Sequence, residues 1–118
     1  MVNKITKSIG ILCLLFLLMC KGKDIENVTL SGTVYDNGTK QPVKNAEVKI
    51  TNTFHTEDDY NQSGLYLIKT DEKGRFEKRM EKSTSVELKV SKEGYLEKVV
   101  TQDVGGSEVT LDCYLEKK

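Results

Sequence analysis

From Val28 onward, apolar side chains recur at every second position, a spacing that sorts them onto one dry face only if the backbone is extended. Val28, Leu30 and Val34 alternate with Thr29, Ser31 and Thr33; Ala46, Val48 and Ile50 with Glu47, Lys49 and Thr51; Val86, Leu88 and Val90 with Glu87, Lys89 and Ser91. Val109, Leu111, Cys113 and Leu115 repeat the pattern near the end, and Leu65 to Ile68, Arg75 to Met80 and Tyr95 to Val100 carry it more weakly. Seven strands are therefore predicted. Turn chemistry separates them at short intervals: Asp36-Asn37-Gly38, Asn61 to Gly64, Asp71 to Gly74, Lys92-Glu93-Gly94 and Gly105-Gly106. No stretch with helical periodicity remains between them, so the expected class is all-β, a seven-stranded antiparallel Greek-key sandwich and not a βαβ fold.

The alternation begins only after a different kind of segment. Lys4 and Lys7 precede the run from Ile9 to Cys20, which carries no charge and is almost wholly apolar. That is the length of a signal-peptide core, and it falls short of the roughly 20 residues a membrane-crossing helix needs. Lys21, Lys23 and Asp24 follow at once. The expected division is a signal peptide over residues 1–20, a tether over 21–26 and one domain over 27–118. Leu17-Leu18-Met19-Cys20 resembles the lipobox of bacterial lipoproteins, in which the cysteine is acylated and becomes the N-terminus. Leu17 fits that pattern, whereas Met19 stands where a small residue is usual. The resemblance implies lipidation at Cys20 and a location outside the cytoplasm: lipid-anchored at the cell membrane or outer membrane, facing the periplasm or the surface. An ordinary signal peptide is the plain alternative.

The 118-residue chain holds 18 basic and 18 acidic side chains; removing the first segment with Lys4 and Lys7 leaves 16 against 18, net −2. A slightly acidic domain has no electrostatic footprint for nucleic acid, so no nucleic-acid partner is expected. Only Cys113 lies beyond the first segment, which excludes an internal disulfide and requires the domain to be held by its own core. Cys113 shares a face with Leu111 and Leu115, the place of a small buried hydrophobe.

A family likeness rests on particular residues. Ser31 to Asp36, Thr39 to Pro42 and Val43 to Val48 look like the opening strand, loop and second strand of the carboxypeptidase regulatory-like domain, a transthyretin-like (prealbumin-like) β-sandwich. Thr70 to Phe76 is similar to its central turn and Ser91 to Tyr95 to its late Gly-Tyr turn. The resemblance runs from about Leu30 to Leu115. It implies a non-enzymatic accessory domain of the kind that flanks peptidases, precedes outer-membrane receptors or stands alone on exported proteins. Phe54 to Gly64 is longer than the family commonly has there. Gly74 and Gly94 sit where turns need a positive φ, which glycine adopts without steric cost.

Within the long segment, His55, Glu57, Asp58 and Asp59 form the densest group of potential ligands. Zinc prefers sulfur and several histidines, and a calcium loop spaces alternate oxygens around a glycine; neither pattern is present, so no metal and no cofactor is expected. A Ser-His-Asp hydrolase would need His55, the single histidine, beside a serine, yet no nucleophile-elbow pattern surrounds one. Tyr60, Tyr66 and Tyr114 offer rigid contact area or else ordinary sheet packing. Phe54, His55, Asp58, Asp59 and Tyr60 are the candidate partner-contact residues. The function expected is a lipid-anchored envelope module that binds a protein or a glycan; a spacer without ligand, a small hydrolase and a small-ligand carrier are the alternatives.

Overall fold

The computed structural model describes residues 24–55 and 61–118. Eight strands run in the order β1 (Ile25–Asp36), β2 (Glu47–His55), β3 (Asn61–Lys69), β4 (Arg75–Ser83), β5 (Ser85–Ser91), β6 (Lys98–Asp103), β7 (Glu108–Thr110) and β8 (Cys113–Leu115). They form two sheets, one ordered β4-β1-β7 with β8 also on β1, the other β3-β2-β5-β6. The inner faces supply the core: Val28, Leu30, Val34, Phe76, Met80, Cys113 and Leu115 from one sheet, Val48, Ile50, Val86, Leu88 and Val90 from the other, all buried. Each is a residue that the two-residue period assigns to the dry side, and burying such a side chain stabilises by roughly 1.5–3 kcal/mol. The all-β sandwich class holds.

In the second sheet β3 runs through Asn61 to Gly64, expected as a turn, and β6 begins at Lys98 and not at Tyr95; three details of the first sheet also depart from the sequence reading. The final strand is divided, because the Leu111 carbonyl tucks against Gly32 of β1. Hydrogen bonding carries on through the gap: the Leu111 N–H donates to the Ser31 carbonyl at 2.8 Å and the Thr33 N–H to Asp112 Oδ1 at 3.0 Å. Second, β7 and β8 run parallel to β1. They arrive from β6 in the opposite sheet, so no hairpin forces them antiparallel. Third, β1 starts inside the expected tether: Ile25 and Glu26 pair with Ser83 and Lys82. Of the expected tether only residues 21–23 lie outside the described residues; Asp24 is bonded to His55, and Glu26 is exposed on β1.

Two turns behave as glycine chemistry requires. Gly74 and Gly94 have φ of 73° and 88°. The Asp71 carboxylate accepts the Lys73 and Arg75 N–H groups, at 2.9 Å each, and so closes the turn before β4. Thr70 fixes the preceding connection from the inside, donating to the Val43 carbonyl at 2.7 Å and accepting from the Ala46 N–H at 2.8 Å. The chain then passes from β4 in one sheet to β5 in the other across a single residue, Thr84.

A Cβ on Gly32 would land on the Leu111 carbonyl oxygen and 2.7 Å from the Phe76 ring, whereas one on Gly105 would meet nothing. Gly32→Val is expected to destabilise the domain by about 2 kcal/mol or more, and Gly105→Ala to change it by less than about 0.5 kcal/mol. Urea unfolding of the two variants beside the parent checks both.

Candidate functional site

The expected contact segment lies partly outside the described residues: Asp58, Asp59 and Tyr60 fall there with Glu57, as does Cys20. Its two described members end β2 and part company. A strand sends neighbours to opposite sides. The Lys82 ammonium lies 5.8 Å from the Phe54 ring centroid, while His55 is drawn to the start of β1 and the β4–β5 crossover.

At that crossover three side chains form a knot. His55 Nδ1 is 2.8 Å from Asp24 Oδ1, the His55 backbone N–H donates to Asp24 Oδ2 at 2.8 Å, and the Thr84 hydroxyl donates to Asp24 Oδ1. A carboxylate can only accept, so Nδ1 carries the proton. Burial alone would raise the Asp24 carboxyl, but the Thr84 hydroxyl, the His55 ring and the His55 N–H outweigh it and hold the group below its ordinary range. Threonine, aspartate and histidine do not make a nucleophile relay here. In that device the hydroxyl addresses the ring nitrogen remote from the carboxylate, whereas Thr84 Oγ1 sits 3.2 Å from the nitrogen that already faces Asp24. The knot instead ties the entrance of β1 to the point where the chain changes sheets. Among the described residues, no three His, Cys, Asp or Glu side chains converge as a metal site.

The candidate tyrosines lie apart. Tyr114 stacks on Tyr35 with centroids 5.1 Å apart, beneath the Lys40 ammonium at 5.0 Å. Tyr66 points between the sheets on the other side, with the Lys78 ammonium 4.5 Å from its ring centroid. Burial pushes the Cys113 thiol up, against a small opposing pull from Lys98, and the residue is 1% exposed.

The flank formed by β3 and β4 gathers the features that sequence reading missed. β3 ends its sheet. Its outward Leu65 and Leu67 are each 63% exposed, and its inward Tyr66 and Ile68 are half-buried. Beneath it opens a cleft lined by Asn52, Phe54, Tyr66, Lys78, Arg79, Met80, Glu81 and Lys82. Of these, Phe54 is among the candidate partner-contact residues and Tyr66 among the tyrosines that offer contact area. The signal available for the rest was Asn52, a polar residue on the apolar face of β2.

A family model described as the carboxypeptidase regulatory-like domain matches residues 29–116, from within β1 to just past β8. The chain belongs to that family. No curated protein matches it in sequence. Among solved structures, the regulatory-like domain is similar to 3-chlorocatechol 1,2-dioxygenase of Rhodococcus opacus, with a TM-score of 0.63 and 14% identity over 83% of this chain and 62% of that one. Wild-type catechol 1,2-dioxygenase of Acinetobacter radioresistens gives 0.60 and 11%, over 80% of this chain and 53% of the enzyme. The pilus 2b backbone protein of group B streptococcus gives 0.61 and 15%, over 77% of this chain and 41% of the pilin. At such identities the likeness is one of fold. The chain spans 62% and 53% of the two dioxygenases.

Asp24→Asn is expected to lower the melting temperature at pH 7. Because the native carboxyl is held below its ordinary value, its contribution is present above about pH 4 and lost as the pH falls through the native pKa. Melting curves of the parent and Asp24→Asn should therefore differ at neutral pH and converge in acid.

Proposed function

We propose that this regulatory-like domain is a non-enzymatic binding module, lipid-anchored through Cys20 in a bacterial cell envelope, that takes an extended segment of a partner protein along β3. The observation that carries the reading is the β3 edge itself: nine residues of strand at the end of a sheet, with Leu65 and Leu67 standing 63% exposed on its outward face. A free strand edge offers a row of backbone donors and acceptors to an extended chain, and side chains at alternate positions supply selectivity. The fold likeness to a pilus backbone protein is in keeping with an envelope role.

The anchor bears on which face is available. With Cys20 acylated, only Lys21 to Lys23 separate the lipid from Asp24, a reach of about 14 Å when extended. Asp24 is bonded to His55, so the end of the sandwich from which the β2–β3 connection departs is held toward the membrane. The β3 edge runs away from that end and stays open to a partner.

A spacer without specific ligand is the second reading, favoured by the same pilus-backbone likeness. Cross-linking in membranes separates the two. Leu65→Lys with Leu67→Lys is expected to abolish a discrete cross-linked species and leave the melting temperature unchanged, since both side chains face water; a spacer yields no such species from the parent. Deleting residues 56–60 is expected to leave the species in place, and its loss would transfer the contact to that segment. Intact mass of membrane-extracted protein tests the anchor: a chain beginning at an acylated Cys20 is expected, and an unmodified N-terminus would remove the lipid from the proposal.

A further inference from the structure

If β3 takes an extended segment, as proposed above, its surroundings also select what that segment is made of. The Thr70 N–H donates to the Ala46 carbonyl at 2.9 Å, one step beyond the pairing of Glu47 with Lys69. An antiparallel ladder alternates bonded and unbonded pairs, so Ile68, Tyr66 and Gly64 direct their backbone groups to β2. Ser63, Leu65 and Leu67 turn theirs to the free side. A strand laid there bonds opposite those residues, and its side chains at the same positions fall beside the exposed Leu65 and Leu67. Its intervening side chains point inward, past Tyr66, to the mouth of the cleft between β3 and β4.

That mouth is cationic. Lys78 and Lys82 are half-buried on the inward side of β4, the Lys78 ammonium 4.5 Å from the Tyr66 ring centroid and that of Lys82 5.8 Å from Phe54. Ring faces hold a cation in place without neutralising it. Phe54 pairs with Gln62, so the two ammonium groups, four residues apart on β4, stand level with Tyr66 and Gln62, four residues apart on β3. They are two separate stations for two inward side chains of an added strand. Among the described residues neither lysine has a carboxylate within ion-pair distance. Arg79 and Glu81 complete the charged lining, leaving three cations against one carboxylate.

We propose that the segment taken by β3 alternates apolar and acidic residues. Apolar side chains lie beside Leu65 and Leu67, and a carboxylate between them meets Lys78 at the level of Tyr66. A second carboxylate, four residues along at the level of Gln62, meets Lys82. A wholly apolar strand takes both ammonium groups from water and gives them no counter-charge. A wholly acidic one leaves the leucines exposed, and a basic one meets like charge.

Amide NMR and hydrogen exchange of the full chain in detergent micelles test the assignment, with the peptide Glu-Thr-Glu-Val-Glu-Val-Glu-Thr-Glu, which presents the pattern in either chain direction. Saturable shifts at Leu65, Tyr66, Leu67 and Lys78 are expected, with a dissociation constant on the order of 0.1 mM. The Leu65 and Leu67 amides are expected to gain protection from exchange, and the Tyr66 amide, already bonded to β2, is not. Peptides with Gln for each Glu or Ser for each Val, and a scrambled peptide of the same composition, are expected to bind about tenfold more weakly or worse. Lys78→Glu with Lys82→Glu is expected to reverse the preference, so that a peptide with Lys for each Glu binds more tightly than the acidic one. If that variant melts lower than the parent, Lys78→Gln carries the comparison, with a roughly fivefold or greater loss for the acidic peptide and none for the Gln peptide. Equal affinity for the Gln, Ser or scrambled peptide, unshifted Leu65 and Leu67 amides, or affinity untouched by the lysine substitutions would each overturn the assignment. The edge reading fails on a different result, a membrane cross-link that survives Leu65→Lys with Leu67→Lys; equal protection by the Gln and acidic peptides removes the acidic pairing alone.

Discussion

The Leu111 carbonyl rests directly against Gly32, with the Phe76 ring beside it, and the arrangement of one whole sheet follows from that close approach. β1 is paired on both sides, antiparallel to β4 and parallel to β7 and β8. A side chain at position 32 would push the returning chain away, and β7 and β8 would lose their partner together. Glycine in a strand interior weakens local pairing. Here the cost is offset because its absent side chain lets two short strands share one long one, and Val109, Cys113 and Leu115 reach the core through them.

The other end of β1 is held by a buried carboxylate. Asp36 accepts the Thr39 N–H at 2.9 Å, the Tyr95 hydroxyl at 2.7 Å and the Gly38 N–H at 2.8 Å, with the Lys117 ammonium at 3.5 Å. The Thr39 N–H leads these in holding the carboxyl well below its usual range, the Tyr95 hydroxyl comes next, and the same bond pushes the Tyr95 phenol up. Three segments distant in sequence are thereby closed on one side chain: the loop after β1, the Gly94-Tyr95 turn and the C-terminal residues. Together with Asp24 at its start, β1 has an acidic residue at each end, and both contribute stability that is present at neutral pH and fades in acid.

Alternation made most of this legible in advance. Val86, Leu88 and Val90 could be assigned to the core because a period of two has one structural meaning, and Gly74 and Gly94 could be assigned to positive φ because of the residues around them. What escaped depends on pairs far apart in the chain. Asp24 meets His55 across 31 positions and Asn52 meets Lys82 across 30, and no local pattern announces either. The division of the last strand was missed for a related reason. Val109, Leu111, Cys113 and Leu115 alternate without a break, and the carbonyl that interrupts them is aimed at a glycine 79 residues earlier. A mid-strand glycine flanked by Ser31 and Thr33 was the available sign that some backbone passes close by.

The free edges differ from one another, and the difference supports the contact proposed for β3. Native sheets guard exposed edges with charge. The outward face of β4 carries Arg75, Glu77, Arg79 and Glu81, all exposed, and β6 offers Lys98, Gln102 and Asp103 around a lone exposed Val99. β3 presents two adjacent outward leucines instead, with Lys69 only at its end. On its other face the same flank keeps an amide oxygen unpaired in an otherwise apolar row. Either feature alone would be an ordinary imperfection. Their meeting on one strand pair, in a domain whose β4 and β6 edges carry charge and whose other buried polar side chains among the described residues, Asp36, Thr70 and Ser83, are all hydrogen-bonded, is what supports the contact proposed for this flank.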